Sequence, residues 1–283
     1  MVNVHSNKSS PMPEKKGGFS KFSNVVPSPS DTSLVLWRYL DLAKLIGLLN
    51  DKKLHFARAD VFQDRHEGSV TNSMIEALNV QFADRAKLPK TLSRFRKQVK
   101  ENTFISCWCM EPESEAMWKL YCGDNYGVAI TVVYRDIETS FINQGLVIAP
   151  VRYLNYQTEG FPQDNVLYPF FHKRLAFANE REVRIVKWCS DQMPVGISVI
   201  GRPPTEEEIK EHQSEVRRGE ALKVERGTGI SVEFDVEKLI RTIVVHPYAP
   251  EWYFRIVKLV VEKFTPVLTG KVKWSSMRTE PLY

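Results

Sequence analysis

Residues 127–134 have the sequence Gly-Val-Ala-Ile-Thr-Val-Val-Tyr, in which β-branched residues dominate and no charge interrupts the run. Such a run is typical of a strand that is buried in a sheet. It is much shorter than the roughly 18 apolar residues that a membrane helix needs. The segments on either side of it therefore decide which kind of sheet this strand joins.

The second half of the chain is rich in predicted strands, and the first half mixes strands with helices. Besides residues 127–134, we expect strands at residues 35–39, 54–57, 103–109, 147–156, 182–188, 230–235, 240–246 and 267–274. Apolar spacing predicts helices at residues 42–50 (capped by Asp41), 72–84, 89–100, 115–122 (capped by Ser114) and 252–264. Because strands and helices do not alternate regularly, a doubly wound parallel sheet is not expected. The predicted fold class is α+β, with a curved mixed or antiparallel sheet and helices packed at its side.

Composition predicts a disordered leader at residues 1–33 and a single domain at residues 34–283. The leader holds eight serines and four prolines, and its four lysines against two acids account for +2 of the net charge of +5. The remaining +3 is small for a protein that binds long nucleic acid, whereas a small nucleotide-like ligand is compatible with it. A charged helix or flexible excursion is expected at residues 205–223.

The termini and the cysteines indicate the compartment. The sequence has no apolar secretory signal and no membrane-length apolar run, so we expect no membrane partner. Its four cysteines match no zinc or redox spacing. We therefore expect reduced cysteines and a cytoplasmic location.

The strongest polar pattern is Ala-Asn-Glu-Arg-Glu-Val-Arg at residues 178–184. On a strand, Glu180, Glu182 and Arg184 would share one face, because side chains alternate with a period of two. Lys173, a few residues upstream, adds a cation that this pair of carboxylates could bind. The alternative is an edge strand whose alternating charges face solvent.

A second pattern, Leu-Trp-Arg-Tyr at residues 36–39, places a cation between aromatic side chains. On a strand, Arg38 would present a fixed guanidinium to phosphate or carboxylate, with Tyr39 beside it. The alternative is an arginine that pairs with a surface acid.

A third pattern is the loop Phe-Gln-Asp-Arg-His-Glu-Gly at residues 62–68. A turn would bring the carboxylates of Asp64 and Glu67 to one side, where they could hold a divalent cation or share a proton with His66. The alternative is a capping turn, in which Asp64 accepts backbone hydrogen bonds, Glu67 reaches back and Gly68 forms the exit.

Two helical patterns complete the candidates. Met117, Trp118 and Tyr121 would form an aromatic wall for a nucleotide base or nicotinamide, unless the stripe belongs to the core. Residues 85–100 hold seven basic side chains and no acid. That run could contact phosphate, although a solvated amphipathic helix is the favoured interpretation.

Taken together, these motifs resemble an uncharacterised bacterial domain family that is known only as a domain of unknown function. The matching segments are residues 36–39, 62–67, 104–107 (Phe-Ile-Ser-Cys), 117–121, 180–184 and 244–252, together with Lys173. The resemblance extends from about residue 34 to residue 277. This chain departs from the family in the loop, where Gln63 replaces asparagine and Arg65 and His66 replace proline and phenylalanine.

The order of the motifs is also similar, more distantly, to that of ADP-ribosyltransferases. That resemblance implies NAD as the substrate, with Arg38 holding its diphosphate and Trp118 and Tyr121 stacking on nicotinamide. It also implies a catalytic carboxylate, Glu180 or Glu182, that stabilises the oxocarbenium-like centre.

Three functions are therefore open. The first is an NAD-consuming transferase or glycohydrolase. The second is a phosphodiesterase or nuclease in which Asp64, Glu67, Glu180 and Glu182 hold Mg²⁺ or Mn²⁺ and Lys173 binds the phosphate. The third is a non-enzymatic domain that recognises a ligand or a protein, in which Glu180, Glu182 and Arg184 form a structural network.

Overall fold

The computed structural model describes residues 27–81, 88–123, 126–142, 144–162, 165–189 and 227–279. The charged segment predicted at residues 205–223 and residues 1–26 of the predicted leader lie outside this set. Residues 27–33 belong to the predicted leader, but two of them, Ser28 and Thr32, contact the domain. Ser28 Oγ donates to Glu138 at 2.8 Å, and the carbonyl of Thr32 accepts the Arg135 N–H at 3.0 Å.

The described residues form helices and short strands in mixed order. The helices are α1 (Leu42–Asp51), α2 (Asn72–Gln81), α3 (Leu88–Glu101), α4 (Glu115–Cys122), α5 (Tyr134–Ile142), α6 (Val236–Leu239) and α7 (Glu251–Phe264). The strands are β1 (Val35–Leu40), β2 (Lys53–Arg58), β3 (Thr103–Cys109), β4 (Val128–Val133), β5 (Leu146–Pro150), β6 (Arg152–Leu154), β7 (His172–Arg174), β8 (Glu182–Trp188), β9 (Gly229–Glu233), β10 (Thr242–Val245) and β11 (Val272–Trp274).

Nine of the described strands join one sheet, with neighbours in the order β11-β10-β4-β1-β3-β2-β9. The strand β8 pairs with β3 and with β5, so the sheet branches at β3. Its pairings are antiparallel except β10 with β11, and a small parallel pair, β6 with β7, lies apart. The two sides of β8 are therefore both occupied, and β8 is not the edge strand that one interpretation of its charges required.

The main core lies on one face of this sheet. It joins the apolar stripes of α1, α5 and α7 to inward side chains of the strands, including Leu36, Ile130 and Ile185, which are fully buried. Asp41 begins α1 as predicted, because its carboxylate accepts the Lys44 N–H at 2.8 Å. The predicted α+β class, with a mostly antiparallel mixed sheet and helices at its side, is confirmed. Among the described residues no helix combines the length and the apolar character that a membrane crossing requires.

Most predicted strands differ from the observed ones by one or two residues at an end, and two differ much more. The expected strand at residues 147–156 is divided between β5 and β6, which belong to different sheets. The expected strand at residues 267–274 is mostly the 3-10 turn Pro266–Lys271, and only Val272–Trp274 is extended. Pro266 occupies the first turn of that segment, where its fixed φ favours a helical start.

Candidate functional site

Arg184 is the centre of a buried network of charged side chains. It lies on β8 opposite Cys107 of β3 and is fully buried. Its Nη1 and Nη2 donate to the two carboxylate oxygens of Glu67 at 2.6 and 2.9 Å, and its Nε donates to Glu182 at 2.5 Å. Nη1 also donates to the carbonyl of Phe170 at 2.8 Å. Burying a guanidinium costs free energy unless acceptors replace the water that it loses. Here Nε, Nη1 and Nη2 each donate to at least one acceptor.

Lys173 extends the network to a second carboxylate. Its Nζ, on β7, donates to Glu180 at 2.7 Å and to Glu182 at 2.8 Å, and the ring of Phe177 lies 4.4 Å below it. Lys173, Glu180 and Glu182 are all less than a tenth exposed. Two cations therefore face three carboxylates in this network, which leaves one excess negative charge when all are ionised.

The local structure brings Glu180 to this position by a route that the sequence pattern did not predict. Glu180 ends the 3-10 turn Leu175–Glu180, and Arg181 follows it in the left-handed region with φ 43°. The strand begins only at Glu182, so the shared face predicted for a continuous strand applies to Glu182 and Arg184 and not to Glu180. The common partner Lys173 joins the two carboxylates instead.

The two carboxylates of the pair have opposite proton affinities. Burial and the neighbouring Glu182 carboxylate raise the pKa of Glu180 to about 7. Burial also acts to raise the pKa of Glu182, but the charges of Arg184 and Lys173 outweigh it and hold that pKa well below its usual range. Two acids whose environments separate their pKa values are the usual arrangement of an acid–base pair.

The loop at residues 62–68 sends its two acids to different cations. Asp64 accepts the His66 N–H at 3.0 Å, as the capping interpretation predicted, and binds Arg174 Nη2 at 2.8 Å. Glu67 does not reach back within its turn but binds Arg184. Asp64 and Glu67 therefore do not form a shared carboxylate site.

This arrangement does not favour the metal hypothesis. Each of the four acids proposed as ligands already meets at least one basic side chain: Asp64, Glu67, Glu180 and Glu182. Within the described residues no group of three or more His, Cys, Asp or Glu is placed to hold a metal ion.

Arg38 fills a gap where the sheet branches. On one side of β3, β2 pairs at Ile105 and β1 pairs at Cys109, and the guanidinium of Arg38 crosses the interval between these pairings. It donates to Ser106 Oγ, and its Nη2 donates to the carbonyl of His55 at 3.1 Å. No acid among the described residues pairs with Arg38, and burial lowers its pKa to about 10. It is thus a half-buried cation without a counter-charge in the described part of the chain.

The aromatic wall is partly core and partly surface. Trp118 is 1% exposed, and its Nε1 donates to Glu113 at 2.9 Å, so it supports the site from within and does not offer a face to a ligand. Ser114 occupies the N-cap of α4, but its side chain makes no capping bond, and its N–H donates to the hydroxyl of buried Tyr39 at 3.3 Å. Tyr121 is 45% exposed and stacks on Tyr39 with ring centroids 6.4 Å apart. Of the predicted wall, Tyr121 is the member that solvent reaches.

Tyr121 interacts electrostatically with both charged regions. Burial raises its pKa, and the negative charges of Glu180 and Glu182 raise it further, while the same side chain interacts electrostatically with Arg38. The predicted residues Arg38, Tyr39, Tyr121, Lys173, Glu180, Glu182 and Arg184 thus belong to one connected region, with Glu67 behind Arg184. Asp64 lies at its margin, bound to Arg174.

Two residues of this region were not among the sequence candidates. Ser106 accepts from both Arg38 and Trp108 Nε1, the latter at 3.1 Å. Tyr153 accepts the N–H of Glu182 with its hydroxyl at 2.8 Å. Ser106 lies inside the segment at residues 104–107 that was used for the family resemblance, but nothing in that segment indicated its partners. No sequence pattern connects Tyr153 with Glu182, because their contact spans 29 residues.

No protein-family model matches this chain, and the searches of curated proteins and of solved structures gave no match.

Proposed function

We propose that this protein binds NAD and cleaves its N-glycosidic bond, as an enzyme similar to ADP-ribosyltransferases. The observation that supports this function is that Tyr121 interacts electrostatically with two different charged groups. One is the carboxylate pair of Glu180 and Glu182, and the other is the guanidinium of Arg38, which pairs with no acid among the described residues. A dinucleotide carries both a diphosphate that needs a cation and a glycosidic centre that needs a carboxylate.

Arg38 would bind the diphosphate. A half-buried guanidinium without a carboxylate lowers its free energy by binding an anion, and its planar fork matches phosphate oxygens. Ser106 and the His55 carbonyl hold the fork in place, so little side-chain entropy remains to be lost on binding.

Tyr121 would stack on the nicotinamide ring. Its exposed face is supported from behind by Tyr39, whose ring is nearly parallel, at 15°. In proteins that bind single-stranded nucleic acids, stacking of a base on an aromatic side chain contributes roughly 1–3 kcal/mol.

Glu180 is the carboxylate that would act at the ribose. Lys173 holds one of its oxygens, whereas both oxygens of Glu182 are occupied, one by Lys173 and one by Arg184. When the bond from ribose C1 to nitrogen breaks, the electron pair leaves with nicotinamide. The ionised Glu180 then stabilises the positive ribose and accepts the proton of the attacking water or acceptor hydroxyl. Glu182 is a positioning residue that fixes Lys173 and sets the proton affinity of Glu180.

The test is nicotinamide release from NAD by the purified protein and by matched variants. We expect Glu180→Gln to lower kcat roughly 100-fold or more, with NAD binding retained. We expect Arg38→Gln to weaken NAD binding, because the diphosphate loses its cation. Glu233→Gln changes an exposed carboxylate of β9 and serves as the control with unchanged activity.

The pH profile separates this mechanism from a structural role of Glu180. Because the pKa of Glu180 is raised to about 7, the rate should rise through neutral pH as Glu180 loses its proton. Absence of a calorimetric binding signal at millimolar NAD would contradict the proposal. Binding without nicotinamide release would favour a recognition domain instead.

A further inference from the structure

The basic helix α3 has cations on two different faces. Arg94 and Lys97 are exposed, as expected for a solvated face. Arg96 and Lys100, one turn apart, are only partly exposed, and they lie on the same side of the helix because positions i and i+4 are neighbours. Among the described residues, this inner pair makes no ion pair with the network around Glu180, although the charge of Glu67 reaches Lys100.

Two guanidinium nitrogens of Arg96 are buried and meet no acceptor among the described residues. Its Nε and Nη1 are inaccessible to solvent and have no hydrogen-bond partner in the described part of the chain. The ring of Phe95 lies 5.9 Å from its Cζ, and burial lowers its pKa to about 10. Buried polar groups are nearly always paired in native proteins, so an unpaired guanidinium indicates a missing ligand or a functional role.

Lys100 has no ion pair among the described residues either, and burial lowers its pKa. The acids whose charges reach it are Asp60, Asp64 and Glu67. Each of them is bound by another cation: Arg58 at 2.6 Å, Arg174 at 2.8 Å and Arg184 at 2.6 Å, respectively. Among the described residues, the acids nearest the inner face of α3 are therefore already paired with other cations.

We propose that Arg96 and Lys100 form a binding site for a phosphate group of a small ligand. Two neighbouring cations without a counter-charge match a dianion better than they match a single carboxylate, and phosphate carries a charge of about −1.5 to −2 at neutral pH. The fork of Arg96 supplies paired donors and Lys100 supplies a point charge, the two elements that proteins commonly use for phosphate.

This site goes beyond the proposed NAD-cleaving function and does not depend on it. Arg38 and the Glu180 pair belong to the proposed NAD site, whereas Arg96 and Lys100 lie on α3 beside the loop at residues 60–67. A phosphate-bearing ligand at α3 can therefore be tested in the absence of NAD.

The test uses inorganic phosphate and pyrophosphate as probes for calorimetry and thermal unfolding of the full chain, at constant ionic strength set with chloride. We expect saturable binding of the probe, and a Tm rise of about 2–4 °C at a few times its Kd. Arg96→Met should weaken binding at least tenfold. It should also raise Tm in phosphate-free buffer, because a buried unpaired charge is removed while the volume is largely kept.

Arg94→Met is the matched control, since it removes the same charge from the exposed face of the same helix and should leave binding unchanged. Lys100→Met provides a second variant if Arg96→Met fails to fold, and it should also weaken binding at least tenfold. Equal loss of binding in Arg94→Met and Arg96→Met would overturn the proposal in favour of diffuse electrostatic attraction. Absence of saturable binding to the wild-type protein would overturn it as well.

Discussion

At the scale of single residues, the charged network shows how burial separates chemically identical side chains. Glu180 and Glu182 are two positions apart, and both bind Lys173. Only Glu182 also receives a bond from Arg184, so its negative charge is compensated twice. Glu180 has the weaker compensation and keeps its proton to higher pH.

This difference predicts how stability depends on pH. The pKa of Glu180 is about 7 in the folded protein against an ordinary value of 4.5, so the folded state retains a proton that the unfolded state has lost. The contribution of Glu180 is therefore present below about pH 4.5 and is lost as pH rises through about 7. In Glu180→Gln this loss cannot occur.

We expect the free energy of unfolding of Glu180→Gln, relative to wild type, to increase between pH 5 and pH 8. Urea unfolding at a series of pH values measures the difference, and Glu233→Gln is again the control. A difference that stays constant, or that declines with pH, would show that Glu180 is not held protonated by the fold.

Local sequence rules predicted the positions of some site residues correctly and of others wrongly. A period of two correctly placed Glu182 and Arg184 on one face of β8. The same rule failed for Glu180, because a 3-10 turn precedes the strand. The helical stripe of α4 was predicted, but its pattern did not reveal that Trp118 is buried while Tyr121 is exposed.

At the scale of structural elements, the loop at residues 62–68 brings Glu67 to the charged network around Arg184. Gly68 has φ +62°, and a Cβ added there would lie 2.4 Å from the ring of Phe170. Phe170 supplies the carbonyl that Arg184 binds, and the neighbouring Glu67 supplies the carboxylate. The loop therefore needs glycine both for its conformation and for its approach to the turn Tyr168–Phe171.

We expect Gly68→Ala to destabilise the protein by about 1–3 kcal/mol, because it combines a positive φ with a steric clash. Chemical denaturation measures the change. Gly47→Ala is the matched control: Gly47 lies inside α1 with nothing within 4 Å of an added Cβ, so it should stabilise by about 0.5–1 kcal/mol. Equal effects of the two substitutions would refute this account of the loop.

At the scale of the whole molecule, the described strands differ in how many neighbouring strands they pair with. We therefore expect them to differ in local stability. β4 is paired with β1 and β10, and β8 is paired with β3 and β5, over most of their lengths. The small pair of β6 and β7 has only three residues in each strand. Lys173 of β7 connects this pair to Glu182 of β8.

Native-state hydrogen exchange should therefore be slowest in β4 and β8 and much faster in β6 and β7. Strands with partners on both sides open only in large cooperative units, whereas a two-stranded ribbon opens locally. Amide exchange followed by mass spectrometry or NMR gives the rates. Protection in β6 and β7 equal to that in β4 would show that the two sheets unfold as one unit.

Local sequence pattern alone determined the α+β class and Asp41 as the N-cap of α1. It also determined the exact span of β3 and β8 and the shared face of Glu182 and Arg184. These features depend on alternation, capping and periodicity, which involve residues only a few positions apart. Tertiary structure decided the partners of the charges. Glu67 meets Arg184 across 117 residues, while Arg38 and Arg96 meet no acid among the described residues. Packing of distant segments determines which buried charge is compensated, and no local pattern contains that information.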